Sequence, residues 1–434
     1  MYEGICIPRL SLNTYLAKNI IILTQLFKQH NIMKIGIIKE TKTPIDNRVA
    51  LSPKQVAELN KRFPQHEIVV QASDIRAFSD DEYRAEGVKV VDNLQDCDVL
   101  FGIKEAKIES LIPNKHYFFF GHIAKMQEYN RPLLQAFMQK HITFCDYEYL
   151  VDDNNIRVCA FGWWAGVVGV YYTLRGYGLK HKLYELPKPD RRFTLDQLFN
   201  ALRNIELPKV KLMVTGAGRV SQGAQHVLDN IGAVKMTEEE YLSADKADKL
   251  SYCVADVDRL VKRKDGCAFS WNDFTHNAKE YESDFMRWAK QTDVLICAHF
   301  WGPEAPVYLS EEDLRCKDMR IRMIGDVTCD IKGSIKSTVR PATHDDPYYD
   351  YNPVTEQDEP AFSSPDNITE MAVDTCPNAL AMDTSAYFGD MLTKHVFEPM
   401  LRGEQSEVIQ RSMILKEGAL TSRFDYLKNF AEGK

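Results

Sequence analysis

KVKLMVTGAGRVSQGAQHVLDNIG, residues 209–232, is the segment from which the rest of the chain can be interpreted. A β-rich run, Val210 to Val214, leads into a turn that contains Gly216 and Gly218. After the turn, apolar residues recur at helical spacing, namely Val220, Ala224, Val227, Leu228 and Ile231. Gly232 follows, where the glycine that ends a helix belongs. The segment therefore predicts a strand, a tight turn and a helix.

This order of elements is typical of a Rossmann unit, which binds a dinucleotide. The helix N-terminus of such a unit holds a pyrophosphate, and an acidic residue about 20 positions farther on accepts hydrogen bonds from the adenosine ribose. Glu238 has this spacing from Gly218 and follows the short apolar run Ala233–Met236. Ser221 replaces the third glycine of G-x-G-x-x-G, and Gly223 comes two places later. The alternative is an ordinary turn between a strand and a helix.

Length and composition indicate a globular protein of two domains. The chain has 434 residues, of which 44% are hydrophobic and 27% are charged, and this is too long for one compact core. The net charge is −8 and the basic residues are scattered, so neither nucleic acid nor a membrane surface is an expected partner. Ten cysteines without a C-x-x-C pair argue against disulfides and against a metal site. We expect reduced thiols in a cytoplasmic protein.

Residues 1–33 are interpreted as an N-terminal extension. The apolar run Asn19–Phe27 is shorter than the roughly 20 residues that a membrane span needs. No small-residue cleavage site of a secretory signal follows it. Met33 and Lys34 then open the strand-like IGIIKE, which resembles a natural start, so an upstream start codon or a loosely attached helix is expected.

From Lys34 onward, strand-like runs alternate with helical segments, as in α/β domains. We predict an α/β fold with two Rossmann-like domains and parallel sheets, and with the cofactor and the substrate in the cleft between the domains. The predicted division is a catalytic substrate domain at 34–160 plus 370–434, a linking helix and passage at 161–208, and an NAD(P)-binding domain at 209–369.

Other segments carry more specific structural predictions. Residues 158–178, VCAFGWWAGVVGVYYTLRGYG, predict a buried interdomain helix, and residues 126–140 predict a helix. Residues 238–290 are charged and are interpreted as a largely helical excursion. Residues 343–364 are interpreted as a solvated loop, with a lid as the alternative. The helices that begin near Met371 are expected to pack back on the first domain.

Three polar residues of the first domain are candidates for chemistry. Lys104 ends the apolar run Asp98–Ile103, and His122 comes just past Tyr117–Phe120. Ligands of open α/β sheets bind outside the carboxyl ends of the strands. Arg48, in a polar loop, is a candidate carboxylate clamp, because a guanidinium offers carboxylates a bidentate fork. The alternatives are a solvated lysine, a structural histidine and a surface arginine.

With these residues in view, the chain resembles the lysine-forming saccharopine dehydrogenases, and especially the lysine/2-oxoglutarate reductase part of the bifunctional lysine-degrading enzymes. More distantly it is similar to alanine dehydrogenase and to the soluble part of proton-translocating transhydrogenase. The resemblance runs from about Lys34 to the end of the chain and rests on KETKTPIDNRVALSP, FGIKEA, FFGHIAKMQEYN, DYEYL, IRVCAFGWWAGVVG, VTGAGRVSQGAQ, GDVTCDIKGSIKST and VDTCPNALAMDTSAYFGDML.

The resemblance implies roles for individual residues. Lys104 and His122 match the catalytic acid/base pair. The substrate-binding positions are Arg48, Lys125, Gln127, Glu148, Arg157 and Phe161. The cofactor-binding positions are Gly216, Gly218, Arg219, Val220, Thr237, Glu238, Phe300, Asp326 and Asp374. An acidic ribose contact favours NAD over NADP, but Lys235 and Arg219 are close enough in sequence to hold a phosphate, so NADP stays open.

The implied reaction is hydride transfer between a nicotinamide cofactor and the secondary amine of saccharopine, with lysine and 2-oxoglutarate as products or substrates. His122 is expected to titrate near neutral pH and to activate water. Lys104 would take the amine proton if burial or a cationic neighbour lowers its pKa. The alternatives are an alanine dehydrogenase-like enzyme and a non-catalytic dinucleotide-binding module, and the aromatic segment at 158–178 favours saccharopine. The sequence leaves the direction and the oligomeric state open, a homo-oligomer included.

Overall fold

The computed structural model of the protein describes residues 32–434, so nearly all of the expected extension at 1–33 lies outside the described residues. Within the described part, the strands form two eight-stranded sheets and one small hairpin. No helix in residues 32–434 has the length and apolar character that crossing a membrane requires.

The strands are β1 Lys34–Ile37, β2 Glu67–Gln71, β3 Val90–Val91, β4 Val99–Lys104, β5 His116–Phe120, β6 Thr143–Asp146, β7 Lys211–Thr215, β8 Val234–Lys235, β9 Ser251–Ala255, β10 Val261–Arg263, β11 Tyr281–Ser283, β12 Val294–Cys297, β13 Met323–Asp326, β14 Tyr349–Asn352, β15 Gln357–Glu359, β16 Ile368–Met371, β17 Met413–Lys416 and β18 Ala419–Leu420. The α-helices are Pro53–Arg62, Asp80–Ala85, Arg131–Gln139, Gly162–His181, Leu195–Arg203, Arg219–Asn230, Glu238–Ser243, Val257–Leu260, Trp271–His276, Met286–Ala289, Glu311–Arg315, Ala381–Leu392, Glu398–Leu401, Glu407–Ser412 and Lys428–Glu432.

The first sheet has the order β18-β17-β6-β5-β4-β1-β2-β3. Strands β1 to β6 pair in parallel, and the C-terminal strands β17 and β18 extend the sheet in antiparallel fashion beyond β6. The central strands are buried apolar runs, as expected of a parallel sheet covered on both faces. The helices near the C-terminus pack against this core through Phe388, Leu392, Val396, Phe397 and Leu401.

The second sheet has the order β15-β14-β16-β13-β12-β7-β9-β8. Its strands are parallel from β16 to β8, and β14 and β15 form an antiparallel hairpin at the other edge. Two mostly parallel sheets in one α/β chain confirm the predicted fold class.

The segment at 209–232 forms the predicted strand, turn and helix. All of β7 is buried, Gly216 has a φ of +82°, and the helix runs from Arg219 to Asn230. Gly232 has a φ of +79° just past the helix end, a conformation that glycine adopts at little cost. We call Arg219–Asn230 the turn helix below.

Gly162–His181, the long helix below, is the predicted buried helix, and it packs directly on the turn helix. A Cβ atom at Gly166 would lie 1.8 Å from the carbonyl oxygen of Val220, and one at Gly223 would lie 1.8 Å from the carbonyl oxygen of Trp163. The two helix backbones are therefore in contact, and only glycine fits at these two positions.

Two sequence interpretations are wrong. Residues 238–290 are not largely helical, because they contain β9, which lies between β7 and β8, and the hairpin of β10 and β11. Charged flanking residues hid this short strand, whose side chains are mostly buried. Residues 343–364 are neither a solvated loop nor a lid, because they form β14 and β15 and bury Tyr348, Tyr349 and Tyr351.

The helix expected at 126–140 is also shorter than predicted. It runs from Arg131 to Gln139, after the 3-10 turns Ile123–Lys125 and Glu128–Asn130. Met126 has a φ of +52°, so its backbone cannot belong to an α-helix.

Candidate active site

A cavity of about 680 Å³ lies where the carboxyl ends of strands from both sheets face each other. It is lined on the side of the first sheet by Arg48, Lys104, Phe120, His122, Glu148, Arg157, Ala160, Phe161, Gly162 and Ala165. On the other side it is lined by Gly216, Ala217, Gly218, Arg219, Val220, Asp256, Val257, Trp271, Ala298, His299, Phe300, Asp374, Thr375 and Pro377. Twelve of the predicted site residues are among these lining residues, so they face one space.

Lys104 is the last residue of β4 and is held by a buried carboxyl group. The backbone N–H groups of Ile103 and Lys104 donate to the two carboxyl oxygens of Glu40, at 2.7 and 2.9 Å. Burial lowers the pKa of Lys104, and the cationic neighbours Arg48 and Lys42 lower it further. Burial also raises the pKa of Glu40 to about 8. The environment of Lys104 therefore disfavours the ammonium form relative to a lysine in water, although the charges of Asp46 and Asp374 act in the opposite direction.

His122 follows β5 in a left-handed conformation, with a φ of +54°. Its backbone N–H and that of Gly121 each donate to Oδ2 of Asp146 at 3.1 Å, which fixes the turn that carries the ring. Nδ1 of His122 lies 3.9 Å from the Glu105 carboxylate. The expected near-neutral pKa is not found, because burial lowers the pKa of His122 to about 4, against the opposing charge of Glu148. The ring is neutral at physiological pH and can accept a proton.

Arg48 is a buried arginine and not the surface arginine of the alternative. Its side chain is 3% exposed, and it pairs with the Asp46 carboxylate through Nε at 2.9 Å and Nη2 at 2.6 Å. The guanidinium also lies 4.4 Å from the centre of the Phe161 ring. Burial alone would raise the pKa of Asp46, but the charge of Arg48 lowers it. Asp46 and Phe161 thus hold the Arg48 guanidinium in one orientation at the cavity.

Glu148 joins two cations at the same end of the cavity. Its Oε1 lies 3.2 Å from Lys125 Nζ and 3.7 Å from Arg157 Nη2. Lys125 itself does not line the cavity and reaches it only through this pair. Gln127 precedes a 3-10 turn outside the cavity and is not brought to the other site residues. Arg219 Nη1 donates to the carbonyl of Arg157 at 3.0 Å, which connects the two halves.

The glycine turn has room for a phosphate group. A Cβ atom at Gly216 would lie 2.7 Å from the Cα of His299, so backbone fills that side of the turn. A Cβ atom at Gly218 would meet no atom within 4 Å, and the turn helix begins at the next residue. An open glycine at the N-terminus of a twelve-residue helix suits a pyrophosphate, since helix N-termini attract anions. The residues at this turn therefore fit a dinucleotide.

Three predicted cofactor residues lie away from the cavity. Thr237 caps the helix Glu238–Ser243, and Glu238 lies 3.4 Å from Arg259. Asp326 is buried and accepts hydrogen bonds from the Thr328 backbone at 3.0 Å and from the Thr338 hydroxyl at 2.6 Å. Its carboxyl group therefore organises the loop after β13, and burial raises its pKa.

The sequence interpretation missed several residues of the cavity wall. Asp256 follows β9, a strand that was taken for part of a helical excursion, and Trp271 comes from the segment after the β10 strand. His299 is buried between the Thr215 hydroxyl, at 2.6 Å from its Nδ1, and the Ser334 hydroxyl, at 2.9 Å from its Nε2. Burial lowers the pKa of His299 to about 3. The signal for His299 was its place at the end of β12.

In residues 32–434, no group of three or more His, Cys, Asp or Glu side chains is arranged to hold a metal ion.

Family models cover most of the chain. The model for the N-terminal domain of alanine dehydrogenase/PNT matches residues 36–168, and the model for its C-terminal domain matches residues 199–423. The chain therefore belongs to the alanine dehydrogenase/PNT family. This confirms the family that the motifs indicated.

The chain is also similar to individual curated proteins. The chain is 28% identical to alpha-aminoadipic semialdehyde synthase of Arabidopsis thaliana. The alignment of 437 residues covers 91% of the chain and 41% of the relative. It is 26% identical to the mitochondrial alpha-aminoadipic semialdehyde synthase of Mus musculus, over 93% of the chain and 48% of the relative. The chain thus spans about half the length of these relatives. It is also 26% identical to the saccharopine dehydrogenase [NAD(+), L-lysine-forming] of Candida glabrata, over 84% of the chain and 94% of the relative.

Solved structures share the fold. An L-alanine dehydrogenase superposes with a TM-score of 0.61 at 17% identity, over 92% of this chain and 99% of that protein. A transhydrogenase from Sinorhizobium meliloti superposes with a TM-score of 0.58 at 16% identity, over 89% of this chain and 100% of that protein. At these identities the likeness shows the fold alone.

Proposed function

We propose that this member of the alanine dehydrogenase/PNT family is a lysine-forming saccharopine dehydrogenase, or a lysine/2-oxoglutarate reductase when it runs in the opposite direction. The observation that carries the proposal is one cavity with Lys104, His122 and Arg48 on one wall and the glycine turn on the other. The relatives that span nearly the whole chain bear the names of lysine-metabolic enzymes, and the fungal saccharopine dehydrogenase matches over 94% of its own length.

The cofactor proposed is NAD, with NADP as the competitor to be tested. Gly216 and Gly218 would hold the pyrophosphate at the start of the turn helix, and Phe300 and Asp374 would lie on the nicotinamide side. When bound, the oxidised nicotinamide supplies a hydride acceptor for the carbon that bears the substrate nitrogen. The chain supplies binding, orientation and proton transfer.

The substrate side matches a molecule with several carboxylates and an amine. Arg48 is fixed by Asp46 and provides a rigid cation for one carboxylate, since Nη1 makes no hydrogen bond to residues 32–434. Lys125 is 50% exposed, and Arg157 also keeps much of its surface exposed, so both can turn toward a second carboxylate. Glu148, which now pairs with them, is then free to receive an ammonium group. We propose that saccharopine is held in this way.

Lys104 and His122 perform the proton transfers in the lysine-forming direction. Lys104 Nζ takes the proton of the secondary amine, because burial and Arg48 hold the pKa of Lys104 below its ordinary value. Loss of hydride from the substrate carbon leaves an iminium ion between the glutaryl carbon and the lysine nitrogen. Water adds to the iminium carbon while His122 accepts one of its protons, and His122 passes this proton to the nitrogen of the carbinolamine. The carbinolamine hydroxyl then gives its proton to His122 as the carbon–nitrogen bond breaks, which releases lysine and 2-oxoglutarate.

The test is oxidation of NADH by the purified protein with lysine and 2-oxoglutarate, followed by absorbance. We expect oxidation that requires both substrates and that is lost in Lys104→Met. The same assay is repeated with NADPH and with pyruvate plus ammonia. Oxidation with pyruvate and ammonia alone would replace the proposal with an alanine dehydrogenase activity. If the protein binds NADH but oxidises neither NADH nor NADPH with any of these substrate pairs, a non-catalytic dinucleotide-binding module would be the remaining interpretation.

A further inference from the structure

We propose that a second cavity, which shares the loop of Arg48 with the first, binds a free aliphatic α-amino acid and thereby strengthens substrate binding. The cavity has a volume of about 420 Å³. This is within the range of roughly 300–1,000 Å³ that is usual for small-ligand sites. The binding of the amino acid is independent of the proposed function, whereas its effect on the substrate rests on that function.

The two cavities share a wall that is made of two segments. One segment is loop 44–48, in which Arg48 lines the first cavity while three of the preceding residues line the second. The other segment is 374–379, whose first part lines the first cavity and whose last two residues line the second. A ligand in the second cavity would therefore touch both the loop that carries Arg48 and the segment that carries Asp374.

Two side chains of the second cavity hold this wall in place. Asn378 accepts the Asn47 N–H at 2.7 Å and donates to the Ile45 carbonyl at 3.1 Å, so it fixes the loop. His344 lies 3.0 Å, through Nε2, from the carbonyl of Thr375, which lines the first cavity. A ligand that packs against Asn378 and His344 would thus stabilise both segments in their present positions.

Arg191 and Asp74 bring two unpaired charges of opposite sign to the second cavity. Arg191 Nη1 donates to the backbone carbonyl of Asp74, so the two residues are neighbours. Within residues 32–434, however, no carboxylate pairs with the Arg191 guanidinium, and the Asp74 carboxylate has neither an ion pair nor a hydrogen bond. An α-amino acid carries its carboxylate and its ammonium group on one carbon, so it can pair with both residues at once.

The remaining lining residues favour an aliphatic side chain on the ligand. The other charged groups have partners, because Lys188 lies 2.9 Å from Asp345 and Asp190 accepts the Arg192 N–H at 2.8 Å. Ile45 is 57% exposed, which leaves apolar surface for a ligand to cover. The other apolar lining residues are Pro44, Ile75, Pro189 and Ala379. L-Leucine, which is not a substrate of the proposed reaction, is therefore the probe.

The shared wall couples the two cavities. A ligand that contacts loop 44–48 in its present position shifts the population of the loop toward that position, in which Arg48 faces the substrate. Such coupling is reciprocal, because each ligand must raise the affinity for the other by the same factor. We expect leucine to lower the KM for saccharopine about fivefold, at the lower end of usual couplings, with little change in kcat.

The first experiment measures binding of L-leucine to the whole chain by calorimetry, so that no turnover is needed. Two truncated compounds test the charges: 4-methylpentanoate lacks the ammonium group, and 3-methylbutylamine lacks the carboxylate. Each should bind at least about tenfold more weakly than leucine, because each leaves one charge of the cavity unpaired. Absence of leucine binding, or equal binding of the three compounds, would overturn the inference.

Variants then locate the binding site. Arg191→Gln and Asp74→Asn should each weaken leucine about tenfold and abolish its effect on the KM, with the basal activity unchanged. Arg192→Gln and Asp81→Asn are the matched controls, because Arg192 pairs with Glu82 at 3.0 Å, Asp81 is 92% exposed, and neither lines the second cavity. Parental affinity for leucine in Arg191→Gln and Asp74→Asn would overturn the inference.

A competition experiment distinguishes the two cavities, since the first also contains arginines and a carboxylate. The titration with leucine is repeated with saturating saccharopine and without cofactor, so that no reaction occurs. Leucine should still bind, and its affinity should rise about fivefold because the coupling is reciprocal. Displacement of leucine by saccharopine would place it in the first cavity and would overturn the inference.

The outcomes separate this inference from the proposed function. Leucine binding that depends on Arg191 and Asp74, in a protein that turns over no amine, would support the second site and reject the enzyme. Turnover of saccharopine by a protein that does not bind leucine would reject the second site alone. Leucine binding with an unchanged KM for saccharopine would overturn the coupling.

Discussion

Alanine placed at each glycine of the turn separates the structural role of one from the binding role of the other. At Gly216 the φ of +82° costs an L-residue roughly 1–2 kcal/mol. A Cβ atom there would also lie 2.7 Å from the His299 Cα and 2.8 Å from the Ala298 oxygen, and such overpacking costs about 1–3 kcal/mol. We therefore expect Gly216→Ala to lower the free energy of unfolding by about 2–5 kcal/mol.

Gly218→Ala should have the opposite pattern. Its φ of −74° is open to any residue, and its Cβ would meet no atom within 4 Å, so the free energy of unfolding should change by less than about 0.5 kcal/mol. The added methyl group would instead fill the space that a pyrophosphate needs, and we expect NADH to bind at least about tenfold more weakly.

Urea unfolding followed by tryptophan fluorescence gives the free energies, and titration with NADH gives the affinities. Parental affinity for NADH in Gly218→Ala would refute the assignment of the turn as the pyrophosphate site. Parental stability in Gly216→Ala would refute the steric argument, because nothing else in that substitution could compensate for contacts with backbone atoms.

Three further predictions concern the two walls of the cavity. Lys104→Met and His122→Ala should each lower turnover by about 10²-fold or more, because each removes a proton acceptor. The affinity for NADH, measured by fluorescence titration, should change little. Near-parental turnover in either variant would remove that residue from the mechanism. Asn378→Ala removes hydrogen bonds of 2.7 and 3.1 Å that hold loop 45–47, and so should raise the KM for 2-oxoglutarate severalfold in steady-state kinetics with kcat less affected; an unchanged KM would show that the loop keeps its position without them. His299→Gln should make the free energy of unfolding less sensitive to acid. Burial lowers the pKa of His299 from 6.5 to about 3, so the parent loses about 1.4 kcal/mol of stability per pH unit as the pH falls from 6.5 toward 3. Urea unfolding that shows the same loss with pH in parent and variant would contradict this.

The sequence was most informative where the deciding residues are neighbours in the chain. The strand, the glycine turn and the turn helix follow from hydrophobic spacing within residues 209–232. Lys104 and His122 were found because each comes at the end of an apolar run, and parallel strands end at one edge of a sheet. Both inferences need only local pattern and one general rule of α/β folds.

What the sequence could not provide is the order of strands that are distant in the chain. β9 is a five-residue strand between charged segments, and its place beside β7 depends on packing against the sheet and not on its own composition. For the same reason Asp256, which follows β9 and lines the cavity, was not among the predicted site residues. β17 and β18 come some 270 residues after β6 and were likewise not foreseen, because nothing local marks them as edge strands of the first sheet.

The missing third glycine has a structural explanation in the contact between the two helices. In the usual fingerprint that glycine allows close packing of the helix on the strand. Here Ser221 is fully buried, so the helix accepts a small side chain at that position. The close approach occurs instead at Gly223, which touches the long helix at the Trp163 backbone.

This displacement bears on the site as a whole. The long helix begins at Gly162, in the cavity wall, and the preceding Phe161 packs in the first core and against Arg48. Because the long helix touches the turn helix at Gly166 without intervening side chains, the position of the glycine turn relative to Arg48 is set by backbone contact. A larger residue at Gly166 would therefore separate the glycine turn from Arg48, although Gly166 does not line the cavity itself.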